Sequence, residues 1–144
     1  MTRINVKIDP RKLTDEHLLA EHREIKRLPA VYNKYSKIGM PKEFTLGKGH
    51  VKFFLDKYKY THKRYIQIYK ECLSRGFNVE DYSNNWNDIP SEEYNDYTPA
   101  IKDMYLLIDR IKERINESKK EFFHFYGRKI TKQEAIDLLC HGIK

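Results

Sequence analysis

The sequence is poor in cysteine and lacks any long hydrophobic run. Only two of its 144 residues are cysteines, Cys72 and Cys140. They match no metal-ligand spacing and are too few for a disulfide framework, so we expect each to be a buried thiol. No apolar run approaches the roughly 18 residues that cross a bilayer, and the opening MTRINVKID lacks the apolar stretch of a signal peptide. The sequence therefore predicts a soluble, intracellular protein.

Aromatic residues and positive charge are abundant instead. The chain has 11 Tyr, 7 Phe and 1 Trp, too many for a disordered tail. Its length of 144 residues fits one domain, and we expect residues 1–144 to form it. With 28 Lys and Arg against 21 Asp and Glu, the formal net charge is +7.

The positive charge is unevenly distributed. Residues 1–80 hold 18 basic and 9 acidic side chains, residues 81–101 hold five acids and no base, and residues 102–144 hold 10 basic and 7 acidic side chains. A basic body with one acidic segment favours a polyanionic partner on one face. An ordinary solvated surface is the alternative, and charge alone leaves both open. No helix pairs a clean apolar stripe with an all-basic face, so a membrane surface is not indicated.

Apolar residues recur at helical spacing, and the apolar–polar alternation that is typical of strands is scarce. The sequence therefore predicts an all-α domain of three main helices and a short C-terminal helix. The first helix begins after Thr14, whose hydroxyl can accept an amide hydrogen bond from the first turn. Pro29 is expected to kink it, because proline cannot donate to the carbonyl of Ile25. Its buried stripe continues to Tyr32 and Tyr35.

Local sequence patterns also predict where the later helices lie. The second is predicted over about residues 50–75. Thr98 is expected to cap the third, with Pro99 at its first position. Thr131 and Glu134 have capping-box spacing, which predicts a short final helix.

The N-terminus is a candidate nucleophile. Thr2 is small enough for a preceding initiator methionine to be removed, which exposes an α-amine. Its reference pKa is near 8, against about 10.4 for lysine, so more of it is unprotonated at neutral pH. Such an amine can attack an electrophilic sugar or carbonyl carbon. Arg3 disfavours the ammonium form and can hold a phosphate. The alternative is a terminus with no chemical role.

Four polar residues share one flank of the first helix. At 100° per residue, His17, Arg23, Glu24 and Arg27 lie beside the apolar stripe. The two arginines suit two neighbouring phosphates, and Glu24 between them is a carboxylate that a substrate could meet. The alternative is an ordinary charged flank in which Glu24 forms a salt bridge with an arginine.

Five segments together resemble one known family. They are MTRIN (1–5), HLLAEHREIKR (17–27), LGKGHVKFFLDK (46–57), ECLSRGFN (71–78) followed by DIP (88–90), and FFHFYGRK (122–129). The residues of these segments and their order along the chain are similar to those of the phage pyrimidine-dimer DNA glycosylases with abasic-site lyase activity. This family is the endonuclease V type of ultraviolet repair. The resemblance covers roughly residues 2–129.

The resemblance implies a fold and a reaction. The N-terminal segment is expected to be threaded between the helices. The α-amine of Thr2 is expected to attack C1′ of the 5′ nucleotide of a cis-syn cyclobutane pyrimidine dimer. The glycosidic bond breaks, a Schiff base forms, and β-elimination nicks the abasic site. Glu24 occupies the position of the essential carboxylate, and no metal or organic cofactor is implied.

The resemblance also implies DNA contacts and a partner. His17 matches a histidine near the reacting sugar, and the matching basic residues that face DNA are Arg3, Arg23, Arg27, Arg110 and Arg114. The partner is double-stranded DNA with pyrimidine dimers or abasic sites, bound by a monomer in the cytoplasm, as for a phage-encoded enzyme in its host. Residues 130–144 extend beyond the usual end of the family, and we expect a helix packed on the domain.

Other interpretations stay open. The chain could be a non-catalytic, basic helical DNA-binding module, which a retained Met1 would favour. It could also be an abasic-site lyase without preference for dimers. His50 either has a structural role at the second helix or contacts DNA. The aromatic residues at 122–126 either stack on a base or pack on the N-terminal segment.

Overall fold

The computed structural model describes residues 2–34 and 38–140. Met1 and Tyr35, which entered the predictions above, lie outside this range. The elements are α1 (Asp15–Ile25), α2 (Arg27–Ala30), α3 (Gly49–Phe53), α4 (Tyr58–Ser74), α5 (Ile101–Glu117), β1 (Phe122–Phe125), β2 (Arg128–Thr131) and α6 (Lys132–Cys140). Short 3₁₀ turns lie at Pro10–Lys12, Ser83–Trp86 and Ser91–Glu93.

The start of the first helix and its interruption were predicted correctly. The side-chain oxygen of Thr14 accepts a hydrogen bond from the amide of His17 at 3.2 Å. Helix α1 ends at Ile25, and α2, which contains Pro29, begins two residues later. The chain breaks one turn before Pro29, where the Ile25 carbonyl would otherwise need the amide hydrogen that proline lacks.

The prediction of one helix over residues 50–75 is wrong. Helices α3 and α4 are separate, joined by a turn at residues 54–57. Phe53, Phe54 and Leu55 are all buried in the core. In one continuous helix these three consecutive side chains would spread over about 200°, wider than a face that packs on a single core. The turn lets all three point inwards.

The third long helix begins later than predicted. It starts at Ile101 rather than at Pro99, with Ala100 as its N-cap. The carboxylate of Asp103 accepts the hydrogen bond of the Ala100 amide at 3.1 Å, which satisfies the helix start without Thr98. Ile101, the first residue of α5, is 58 % exposed and does not belong to the buried face of the helix.

The fold is mainly α-helical, and the prediction of an all-α fold is wrong at residues 122–131. There β1 and β2 pair antiparallel, with Phe123 opposite Ile130. The two residues between the strands, Tyr126 and Gly127, have φ values of 52° and 78°. A two-residue hairpin turn of type I′ requires positive φ at both positions, so this turn sets the register.

A polar network fixes the hairpin to α1 and α4. The Asp15 carboxylate accepts hydrogen bonds from the amides of Tyr126 at 3.1 Å and Gly127 at 2.9 Å. Arg75 forms ion pairs with Asp15 and with Glu71, both at 2.8 Å. The Tyr126 hydroxyl donates to Glu71. These contacts hold β1 against α1, where the candidate site lies.

The C-terminal helix is capped and packed as expected. The Glu134 amide donates to the Thr131 hydroxyl, and the Thr131 amide donates to the Glu134 carboxylate, each at 3.1 Å. Ala135 and Leu139 of α6 are buried in the common core.

The two cysteines differ in environment. Cys72 is buried, and burial raises its pKa to about 11. Cys140, the last residue of α6, is exposed, so the prediction of two buried thiols is wrong for Cys140. Within residues 2–34 and 38–140, no helix has both the length and the apolar character needed to span a membrane.

Candidate active site

The N-terminal segment is a buried part of the core. Ile4, Val6 and Ile8 are each at most 2 % exposed. The amide of Ile4 donates a hydrogen bond to Nε2 of His50 on α3 at 2.9 Å. The path of the chain is therefore fixed from Ile4 onwards, two residues after Thr2, whose α-amine is the candidate nucleophile.

A buried ion pair holds the same segment from the other side. The Glu21 carboxylate on α1 accepts hydrogen bonds from Nε and a terminal nitrogen of Arg64 on α4, at 2.8 and 3.0 Å. It also accepts from the backbone amide of Asn5 at 3.3 Å and from its side-chain amide at 2.8 Å. Arg64 donates in addition to the Ile8 carbonyl at 2.6 Å. Because each buried charge is hydrogen-bonded and paired, the desolvation cost is offset.

A cleft of about 280 Å³ opens beside this segment. The N-terminal segment, α1, α5 and the start of the hairpin form its walls. Charged and aromatic side chains that line it are Arg3, His17, Glu21, Glu24, Arg114, Lys120 and Phe123. Four of the residues chosen from the sequence, Arg3, His17, Glu24 and Arg114, thus line one cavity although they come from three separate parts of the chain.

Glu24 is the carboxylate that the fold leaves available in the cleft. It lies nearly one turn after Glu21, is half-buried, and lines the cavity. Within the described part of the chain, Glu24 takes part in no hydrogen bond or ion pair. The charge of Glu21, by contrast, is neutralised by its ion pair with Arg64. Among the described residues, therefore, Glu24 forms no salt bridge with Arg23 or Arg27, which was the alternative interpretation of this flank.

Positive charge surrounds this carboxylate. Burial, together with the charges of Arg114 and Arg110, lowers the pKa of Arg3 to about 10, and Glu24 opposes the shift. Arg3 is still cationic at neutral pH. Arg3, Arg114 and Lys120 therefore give the cleft a positive potential, which attracts a phosphate group.

His17 is a neutral ring on the wall of the cleft. Its Nδ1 lies 2.7 Å from the Thr14 hydroxyl, and its ring stacks on Phe123 with centroids 5.7 Å apart. Burial lowers the pKa of His17 to about 4; nearby Glu16 opposes this, and Arg114 adds to it. At neutral pH His17 can therefore offer a hydrogen bond without adding a charge.

The remaining predicted site residues do not line the cleft. Thr2 is half-buried at the start of the N-terminal segment. Arg23 on α1 and Arg27, the first residue of α2, are both exposed. Arg110 is half-buried on α5 and close enough to Arg3 to lower its pKa. Met1, whose removal would create the amine, is outside the described residues.

Sequence reasoning missed three residues of the site. Glu21 follows His17 by four residues on α1, so the helical spacing could have placed it on the cleft face. Asn5 was part of the quoted MTRIN segment but was given no role; its side-chain oxygen is buried and accepts no hydrogen bond. Lys120 follows the end of α5, and no pattern marked it. In residues 2–34 and 38–140, no group of three or more His, Cys, Asp or Glu side chains could hold a metal ion.

Mild acid is expected to destabilise the folded protein. Burial lowers the pKa of both His17 and His50 from 6.5 to about 4. Between these values the unfolded chain binds protons that the folded chain does not. The stability that comes from these two neutral histidines is therefore fully present above pH 6.5 and is lost progressively as pH falls towards 4. Urea unfolding midpoints at several pH values across this window measure the effect. A midpoint that stays constant down to pH 4 would contradict it.

The basic cleft on a small helical domain suits an anionic partner, as in nucleic-acid-binding proteins. A family model described as pyrimidine dimer DNA glycosylase matches residues 1–85. The chain belongs to this DNA-repair family, which acts on DNA with pyrimidine dimers, and the resemblance identified from the sequence is confirmed. The matched part contains the N-terminal segment, α1 with Glu24, and α3 and α4.

Proposed function

We propose that the protein is a bifunctional DNA N-glycosylase and abasic-site lyase that excises cis-syn cyclobutane pyrimidine dimers through a Schiff base with the α-amine of Thr2. It acts as a single-domain monomer, inside the cell, with its N-terminal segment threaded between α1, α3 and α4. The observation that carries the proposal is Glu24, a carboxylate that pairs with no cation among the described residues and lines a basic cleft beside the N-terminal segment.

The first step replaces one bond at C1′ by another. The lone pair of the Thr2 amine attacks C1′ of the 5′ nucleotide, and the glycosidic bond breaks with its electron pair on the base nitrogen, which then takes a proton. Positive charge develops on the sugar as the base leaves. Glu24 stabilises this charge electrostatically, an interaction that is stronger in the transition state than in the ground state.

The second step opens the sugar and cuts the strand. The amine nitrogen, after losing a proton, forms a double bond to C1′ while the C1′–O4′ bond breaks and O4′ takes a proton. The resulting iminium at C1′ makes the protons on C2′ more acidic. Loss of a C2′ proton forms the C2′–C3′ double bond and expels the 3′ phosphate. Glu24 is placed to assist these proton transfers, and His17 lies at the same sugar.

The arginines are assigned to phosphates. Arg3 and Arg114 line the cleft and suit the phosphates that flank the reacting sugar, where paired donors match phosphate oxygens. Arg23 is exposed on the same helix as Glu24, Arg27 is exposed at the start of α2, and both suit phosphates farther along the duplex. Arg110 adds to the positive field behind Arg3. No part of the scheme needs a metal or organic cofactor.

Borohydride trapping tests the proposal directly. Protein without Met1 is incubated with ultraviolet-irradiated duplex and sodium borohydride, which reduces an iminium to a stable secondary amine. We expect a covalent protein–DNA product whose attachment site is the N-terminal residue, because that amine is the proposed nucleophile. Mass spectrometry of the digested product locates the attachment.

Parallel substrates separate the alternatives. Trapping on an abasic duplex but not on irradiated DNA would indicate an abasic-site lyase without dimer preference. Binding to irradiated DNA with no trapping and no nicking would indicate a non-catalytic binding module. Attachment at a lysine side chain would contradict the role of the N-terminal amine.

A further inference from the structure

His50 has one defined protonation state in the fold. Its ring is 3 % exposed, Nε2 accepts the hydrogen bond of the Ile4 amide at 2.9 Å, and Nδ1 lies 3.0 Å from the carbonyl oxygen of Thr45. A backbone amide can only donate, and a carbonyl can only accept. The proton is therefore on Nδ1, and the ring is neutral with Nε2 as an acceptor.

The surroundings hold this ring in place. Phe44 and Phe54 pack edge-to-face against it, with centroids 5.5 and 5.3 Å away. The charged groups that influence it are Arg3, which disfavours protonation, and Glu21, which favours it. With burial as the largest cause, the pKa falls to about 4, so the acceptor is retained at neutral pH.

We propose that His50 is a positioning residue for the N-terminal amine. The inference rests on the proposed function of Thr2. The bonded amide belongs to Ile4, only two residues after Thr2, and the intervening peptide units are planar. The hydrogen bond therefore limits the directions in which Thr2 and Arg3 leave the buried segment. Holding a nucleophile in a near-attack geometry is a large contribution to rate, and a shift of about 1 Å can cost 10²-fold.

The rest of the segment has separate anchors. Asn5 is hydrogen-bonded to Glu21 on α1, and the Ile8 carbonyl is hydrogen-bonded to Arg64 on α4. Removing His50 therefore leaves residues 5–8 attached and loosens the residues before them. The loss is expected in the chemical step rather than in DNA binding.

A pair of substitutions at His50 tests this role. His50→Leu removes the acceptor, whereas the side-chain carbonyl of His50→Gln can still accept the Ile4 amide. His22→Leu is the matched control, since His22 is also buried but bonds to Tyr65 and the Glu80 carbonyl, away from the N-terminus. The measurements are the single-turnover rate of borohydride trapping on abasic duplex, the Kd for a duplex with a reduced, uncleavable abasic site, and the thermal midpoint.

We expect His50→Leu to lower the trapping rate by about 10- to 100-fold with Kd changed by less than about twofold, and His50→Gln to recover most of the rate. An equal loss of rate in His22→Leu would overturn the inference, because stability alone would then explain the effect. A wild-type rate in His50→Leu would also overturn it while leaving the proposed function intact. Failure of the wild-type protein to trap at all would overturn the proposed function, and this inference with it.

Discussion

Glu24→Gln is expected to lower the rate of nicking at a pyrimidine dimer by about 10²- to 10³-fold. The substitution keeps the size of the side chain but removes the negative charge that stabilises the cationic sugar and the iminium. It also removes a group that can carry a proton. Because Glu24 takes part in no ion pair within the described residues, no buried partner is left uncompensated. Single-turnover nicking of irradiated duplex measures the rate.

DNA binding by this variant should be unchanged or slightly tighter. Phosphate contacts dominate affinity for DNA, and loss of an acidic group from a basic cleft does not weaken them. Glu113→Gln is the matched control, since Glu113 is exposed on α5 and does not line the cleft. Near wild-type nicking by Glu24→Gln, or an equal loss in Glu113→Gln, would show that the role assigned to Glu24 is wrong.

Protein that retains Met1 is expected to form no trapped complex and to nick no DNA. In that species the nitrogen of Thr2 belongs to a peptide bond, whose lone pair is delocalised and is not nucleophilic. The free α-amine of that species belongs to Met1, one residue before Thr2, and is not the proposed nucleophile. Intact mass identifies the species, and borohydride trapping on abasic duplex measures the activity of each.

A substitution at Thr2 distinguishes the role of its side chain from the role of its α-amine. Thr2→Ala, with Met1 removed, keeps the α-amine and should keep trapping within about tenfold of wild type. If the protein with Met1 nicks dimers as fast as the processed protein, the nucleophile is another group. If Thr2→Ala is inactive although its N-terminus is processed, the hydroxyl rather than the amine carries the chemistry.

Local rules were enough for several elements and for the family. The cap at Thr14, the interruption before Pro29 and the capping box at Thr131 depend on atoms within four residues of each other, so sequence spacing determines them. The same is true of the shared flank of His17 and Glu24, since both lie on one short helix. The segments between residues 1 and 85 also carry the family match.

Local rules failed at three places, for different reasons. The break between α3 and α4 exists because three consecutive apolar residues are buried together in the core. The late start of α5 depends on another local contact, since Asp103 accepts the hydrogen bond of the Ala100 amide and the helix begins without Thr98. The hairpin after α5 is short and aromatic, and its strands are too brief to show alternation. Its turn depends on a positive φ at Tyr126, a residue type that gives no warning of one.

The sequence by itself determined the chemical inventory of this protein: an N-terminal Thr-Arg, a flank with Glu24, and the segments of a pyrimidine dimer DNA glycosylase. Only the tertiary structure decided which carboxylate is available. Glu21 and Glu24 lie three residues apart on one helix, yet Glu21 meets Arg64, 43 residues later, and Glu24 faces the cleft. Likewise His50 meets the amide of Ile4 across 46 residues. Helical periodicity fixes the face on which a side chain lies, but its partner is set by packing between elements distant along the chain, which no local pattern encodes.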